Sequence, residues 1–199
     1  MTQADTLQSA FAAIDAANAE DPARIIVGGE SRPAELVYGE RMTAALHALH
    51  PDAGEALRLA ARAQHLRRWT VPRDSYPMDR TGYLRWRTDL KRKHAEMAGE
   101  ILSDCGYPGD TIARVGSLIR KERLKQDAEA QALEDVACIV FLQHYVDEFA
   151  AKHDDAKLVS IIRKTWAKMS AHGHAAALKL SLSPRIAGLV GRALQADPA

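Results

Sequence analysis

Apolar residues recur at three- and four-residue intervals along almost the whole chain, and the strict alternation of half-buried strands is nearly absent. This pattern predicts an all-α fold. Leu7, Phe11 and Ile14 form one stripe of a first helix, which should end before the turn-rich segment EDPARIIVGGESRP, expected to wrap the surface. Ser31, Arg32 and Pro33 read as an N-cap with proline in the first turn, opening a second helix to about residue 47. In PDAGEALRLAARAQHLRRW, Asp52 and Glu55 stand three apart like a capping box, and Leu57, Ala60, Ala61 and His65 share the inner face of a third helix. TVPRDSYPMDR, with two prolines, predicts an irregular connection, and such loops often carry function.

A fourth helix is expected over about 82–104, stopped by Gly106 with Pro108 just beyond. GDTIARVGSLIRKE makes a fifth, with Ile112, Val115, Leu118 and Ile119 inward. The most apolar stretch, about 128–151, reads as a central helix. DDAKLVSIIRKTWAKMS and SPRIAGLVGRAL complete a bundle of about seven to nine helices, the last opened by Ser183 and Pro184. The chain, 1–199, reads as one domain with its core over about 5–195 and a disordered ADPA tail.

Charge narrows the function classes. Lysine and arginine number 27 against 26 aspartates and glutamates, a net charge of +1, so no global field draws DNA, RNA or an anionic membrane. Any anion binding must be local. Cys105 and Cys138 lie far apart and outside any CxxC, which fits a reducing compartment. Neither a signal peptide nor a run approaching the ~18 to 20 apolar residues of a membrane span is visible, so a cytoplasmic protein is expected. Serine-nucleophile and phosphate-loop chemistries lack their motifs, G-x-S-x-G and GxxxxGK[ST].

Three ionisable residues from three predicted helices point inward: His65, His94 and Asp135. His94 shares a face with Arg87, Leu90, Lys91, Met97 and Ala98, and Asp135 with Ala132, Cys138, Ile139 and Leu142. A buried unpaired carboxylate is costly, so Asp135 should meet a cation, a metal or a histidine. Two histidines and a carboxylate suit a divalent metal such as Zn, Mn, Fe or Mg with positions left for water. A histidine–aspartate hydrogen bond inside a helical bundle accounts for the same residues, since no HxxxH or HExxH pair sets a ligand geometry. Both readings stay open at this point. Glu134 would reach the edge of such a site as a base or as the partner of an arginine.

Basic residues crowd the same region: Arg67, Arg68, Arg73, Arg80, Arg85, Arg87, Lys91, then Arg120, Lys121 and Arg123. They make either a solvated face or a site for phosphate or carboxylate. Arg67, Arg68, Arg80 and Arg87 flank the loop between the helices of His65 and His94, with Trp69, Tyr76, Tyr83 and Trp86 able to wall a ligand. His172 and His174 form an HxH whose side chains diverge in a short helix or turn, so a surface pair is expected. His144 lies opposite Asp135 on its helix and should be a surface or packing residue. Cys138 reads as a small buried hydrophobe.

HAEMAGEILSDCGYPGDTIARVGSLIRKERL followed by AQALEDVACIVFL resembles the second half of an HD-superfamily domain, with His94 and Asp135 at its histidine and aspartate positions. LRLAARAQHLRRW resembles the helix whose histidine–aspartate doublet names that superfamily, with His65 at the histidine. Leu66 replaces the doublet aspartate, Tyr38 in VYGERM replaces an early histidine, and Lys121 stands where a further histidine is common. The resemblance implies an HD-like metal-dependent hydrolase of a small phosphorylated or nucleotide-like substrate. His65, His94 and Asp135 would hold the metal, Asp135, Glu134 and Lys121 would serve catalysis, and Arg67, Arg68, Arg80, Arg87 and Lys91 would bind the substrate. The alternative is a metal-free binding or regulatory protein with a degenerate HD pocket. HD-type iron oxygenation needs more histidine ligands than the chain places.

Over nearly its whole length the chain also resembles a family known only as a domain of unknown function, number 4202, found in bacteria and fungi. FAAIDAANAEDP, ELVYGERM, AARAQHLRRW, YPMDRTGYLRWRTDLKRKHAEMA, LEDVACIVFL and RKTWAKMSAHGH carry this likeness, which implies kinship and no reaction. Lys168, Met169 and Ser170 resemble the start of a KMSKS loop, but the run continues as AHGH, with neither a nucleotide-binding parallel sheet nor a HIGH-like element. Aminoacyl-tRNA synthetase activity is therefore not expected, and Ser170 reads as the cap of a short helix.

Overall fold

A computed structural model describes residues 3–195 and consists of α-helices with one small β-hairpin, an all-α multi-helix bundle. Two compact units divide the chain, Met1–Leu133 and Glu134–Ala199. No described helix is long and apolar enough to cross a membrane.

The N-terminal unit opens with α1 (Gln3–Ala19), which buries Leu7, Ala10, Ile14 and Ala17 along one stripe. The turn-rich segment expected to wrap the surface forms a hairpin, β1 (Arg24–Val27) antiparallel to β2 (Glu30–Pro33), with Ile25 opposite Arg32. Gly28 and Gly29 hold φ of +59° and +87°, the conformation that two-residue hairpin turns require at both central positions. That Gly-Gly pair, preceded by the β-branched run Ile25, Ile26 and Val27, was the legible signal. Ser31 consequently lies in β2 and caps nothing.

The second helix, α2 (Ala34–Leu49), follows Pro33, which offers no side-chain cap. A distant residue compensates: buried Asp21 accepts the Glu35 N–H on Oδ2 and the Ala23 N–H on Oδ1, both at 2.9 Å. The third helix, α3 (Glu55–Arg62), starts at Gly54 without a side-chain cap, so Asp52 and Glu55 form no capping box. Gly39 lets α2 approach closely, because a Cβ there would meet the Arg62 carbonyl at 3.0 Å. Arg62 forks onto Asp15 of α1 at 2.6 and 2.5 Å.

Past Arg62 the helix expected to reach Trp69 unwinds. Residues 63–67 are turns, Arg67 adopts φ +49°, and 3-10 turns follow at Arg68–Thr70 and Arg73–Ser75. His65 therefore sits in a turn and not on the inner face of α3. Tertiary contacts override the local preference: Leu66 turns wholly into the core, and the Arg67 N–H donates to Asn18 Oδ1 at 2.9 Å.

The long α4 (Arg80–Asp104) starts two residues earlier than expected because Asp79 is its N-cap, accepting the Gly82 N–H at 2.7 Å. Trp86, Leu90, His94, Ala98 and Leu102 are buried at intervals of four, one face of the helix. Gly106, at φ +80°, ends it as expected, with the Tyr107 N–H returning to the Leu102 carbonyl at 3.0 Å. In α5 (Gly109–Arg120), Val115, Leu118 and Ile119 are buried and Ile112 partly so. Lys121 ends this helix at φ +59°, a conformation usually left to glycine.

The segment expected as one helix over 128–151 is two, α6 (Ala128–His144) and α7 (Val146–Ala150), parted at Tyr145. In the C-terminal unit α8 (Asp155–Trp166) is capped by Asp154, α9 (Ala171–Ala177) by Ser170, and α10 (Pro184–Leu194) by Ser183 with Pro184 at its start, the last two as expected. Val146, Leu158, Ile162, Ile186 and Leu189 make its core. The ADPA tail lies outside the described residues.

Candidate functional site

Within the N-terminal unit, His65 and His94 approach each other with ring centres 6.0 Å apart. Each is positioned by specific partners. His94 is buried on α4, and its Nδ1 lies 2.7 Å from the Leu66 carbonyl. A carbonyl only accepts, so Nδ1 carries the proton and Nε2 keeps its lone pair. That Nε2 is buried and meets no hydrogen-bond partner among the described residues. His65 stacks on Tyr38, rings 3.9 Å apart and 7° from parallel, with its Nδ1 3.3 Å from Glu35 Oε2.

Glu35 is the residue that the sequence reading missed. It lies one turn before Tyr38 on α2, and three-residue spacing puts both on one face, so the position resembling an early HD histidine was the available pointer. Asp21 holds its backbone N–H, while Asn18 donates to its carbonyl at 3.4 Å and accepts from Arg67. One buried asparagine thus ties the Glu35 backbone to the turn that carries His65. Among the described residues no donor is aligned for a hydrogen bond on Glu35 Oε2.

Cations surround the trio. Arg68 Nε is 3.6 Å from Glu35 Oε1, beyond hydrogen-bond range, and its guanidinium lies 4.8 Å over the Trp86 ring. Trp86 is itself anchored by an Nε1–H bond to the Val71 carbonyl at 2.9 Å. The His65 side chain is 27% exposed, yet burial, followed by the charges of Arg68, Lys121 and Arg87, pushes its pKa well below the usual value. Burial and the neighbouring His65 lower His94 to about 3. Burial raises Glu35 to about 7, only partly opposed by Arg68 and His94. Near neutrality the cluster is two neutral imidazoles and a half-ionised carboxyl in a positive field. Such a site attracts anions and can exchange protons with them.

The remaining expected site residues are distributed elsewhere. Arg67 is drawn to Glu20 at 3.0 and 3.2 Å, Arg80 is exposed at the start of α4, and Lys91 is half-buried further along it. Asp135 belongs to the C-terminal unit, where Oδ1 accepts the Ser170 N–H at 2.8 Å and Oδ2 accepts the Ser170 hydroxyl. Ser170 Oγ in turn accepts the Gly173 N–H at 3.1 Å, capping α9. Gly173 lies so close that a Cβ would come within 2.7 to 3.0 Å of the carboxylate. Glu134, expected as a base or as the partner of an arginine, faces Lys168 at 3.9 Å, and Ser170 of the same KMS run caps α9.

The other candidates resolve simply. His172 is exposed, while His174 stacks on Trp166 at 4.2 Å and donates Nε2–H to its carbonyl at 2.9 Å. His144 is exposed, and buried Cys138 contacts the Thr165 carbonyl at 3.8 Å. Among the described residues no three His, Cys, Asp or Glu side chains are grouped so as to hold a metal ion.

Residues 8–190 match the family described as "Domain of unknown function (DUF4202)", and the chain belongs to that family. No curated protein and no solved structure matches it.

Proposed function

We propose that this member of the DUF4202 family binds a small phosphorylated or otherwise anionic molecule at the Glu35–His65–His94 cluster, without a metal, in a pocket of HD-like kinship. The observation that carries the reading is the Arg68 guanidinium standing 3.6 Å from Glu35 Oε1, beyond hydrogen-bond range, in a cluster whose cations also bear on His65. Arg68, Arg87 and Lys121 bear on it while Glu35, with a pKa of about 7, is only half ionised at neutral pH. That field repels a divalent cation and favours a phosphate. At that distance from the carboxylate the Arg68 donors remain available to a ligand.

Calorimetric titration with pyrophosphate in the presence of a chelator tests the proposal. Binding should be salt-dependent, indifferent to the chelator, and lost when Arg68 and Arg87 are both replaced by alanine. Absence of binding to the parent protein overturns it.

One observation favours a second reading, a metal-dependent phosphohydrolase using Zn, Mn, Fe or Mg. Donation of one ring N–H to a carbonyl, leaving the other nitrogen open, is how metal-ligating histidines are oriented, and His94 has that arrangement with Leu66. Stoichiometric metal after repletion, with phosphomonoester turnover abolished by His65→Ala, would select this reading over the first.

A further inference from the structure

Arg87 connects the anion site to an aromatic surface. Its charge bears on His65, and its guanidinium also stands 5.9 Å from the ring centre of Tyr83, one helical turn earlier on α4. Of the aromatic residues in this region, Trp86 is buried under Arg68 and bonded to Val71, and the Tyr76 hydroxyl is held by Asp89 at 2.9 Å. Tyr83 differs, because 42% of it is exposed. Leu84, the next residue of α4, and Met78 in the loop before the helix are exposed as well.

This surface is built and not a floppy end. Arg73 donates to the carbonyls of Tyr76, Pro77 and Asp79 at 3.0, 2.7 and 3.2 Å and stands 5.9 Å from the Tyr83 ring. Gly82 packs so tightly under Pro77 that a Cβ would fall 2.0 Å from its carbonyl oxygen. The loop is thereby fastened to the first turn of α4, and Tyr83 is presented at a set position.

We infer that Tyr83 is a specificity-determining residue, the stacking platform for a phosphate ester whose body is a flat ring system, with the phosphate held beyond it by Arg87 and its neighbours. The inference rests on the anion-binding reading. Four residues, a rise of ~6 Å, separate Tyr83 from Arg87 along the axis, comparable to the reach between the phosphate and the ring of such an ester. Arginine beside an exposed aromatic is the usual pairing where planar groups stack, because the ring face takes any π-system while the cation takes the phosphate.

The test compares three probes by calorimetry: inorganic phosphate, ribose 5-phosphate and adenosine monophosphate. The parent protein should bind adenosine monophosphate about tenfold more tightly than ribose 5-phosphate, the size of one stacking contact. Tyr83→Ala should erase that ratio, whereas Tyr83→Phe should preserve it. A ratio near one in the parent, or a ratio that survives Tyr83→Ala, overturns the platform while leaving the anion site intact. If none of the three probes binds while pyrophosphate does, this inference falls and the anion-binding reading stands; if pyrophosphate fails as well, both fall.

Discussion

Two ionisable clusters, Asp135 with Ser170 in one unit and Glu35–His65–His94 in the other, differ in how their polar valences are filled. Asp135 is 1% exposed, with both oxygens taken by Ser170 and Gly173 packed against it. It is a staple, holding the start of α9. In the Glu35–His65–His94 cluster the valences stay open: His94 Nε2 and Glu35 Oε2 lack aligned partners, and Arg68 stands beyond hydrogen-bond range of its carboxylate. Burial costs a polar group its hydration in both places. Only the second leaves the debt unmatched inside the fold, which is where a ligand has something to contribute.

The contrast breaks most visibly if Asp135 proves dispensable. Asp135→Ala strands the Ser170 N–H and hydroxyl and is expected to cost ~3 kcal/mol in urea denaturation. Gly173→Ala, which drives a methyl into the same carboxylate, should cost ~1 to 3 kcal/mol, and parent-like stability in both variants would refute the staple.

The open cluster makes the opposite forecast, a gain on removing charge. The Glu35 carboxyl titrates near 7 when folded against an ordinary 4.5, so the folded state binds the proton more tightly and loses stability as pH rises through that interval. Glu35→Gln should therefore be more stable than the parent at pH 8 by ~1 to 3 kcal/mol, with the difference vanishing by about pH 4. His94 carries the reverse sign. Depressed to about 3, it stabilises the fold above its ordinary 6.5 and withdraws that stability as pH falls toward 3. Replacing His94 with glutamine should flatten the acid limb of a melting-temperature profile, and an unchanged limb would locate the acid sensitivity elsewhere.

Arg68→Ala sharpens the comparison from the binding side. It should weaken pyrophosphate binding about tenfold, the worth of a charge-assisted hydrogen bond, while moving the melting temperature little. A large loss of stability would make Arg68 a second staple. The smallest effect belongs to a reference position outside both clusters. Gly29→Ala forces a Cβ into positive φ at the hairpin turn and should cost ~1 kcal/mol with no change in anion affinity.

Much of the fold was legible. The helices followed from apolar spacing, and Gly106, Ser170, Ser183 and Pro184 marked their ends where local chemistry alone decides an end. The misreading at His65 had a tertiary cause. AARAQHLRRW looks helical to its last residue, yet it unwinds after Arg62 because Leu66 enters the core and Asn18, almost fifty positions away, takes the Arg67 N–H. Of the candidate cluster, His65, His94, Arg68, Arg87 and Lys121 were named from sequence and lie in one unit, while Asp135, named with them, lies in the other. Glu35 was not named, since an acidic residue in the first turn of a helix is ordinary and nothing local distinguishes it.

The sequence by itself determined which residues turn inward, because helical periodicity is a local property: His94 and Asp135 are as buried as their phases required. Only the tertiary structure decided what each would meet. A hydrogen bond needs a partner within about 3 Å, and residues that close can be distant in the chain, as Ser170 is from Asp135 and Glu35 from His65. The same inward carboxylate could have become a staple or a site, and packing made that choice.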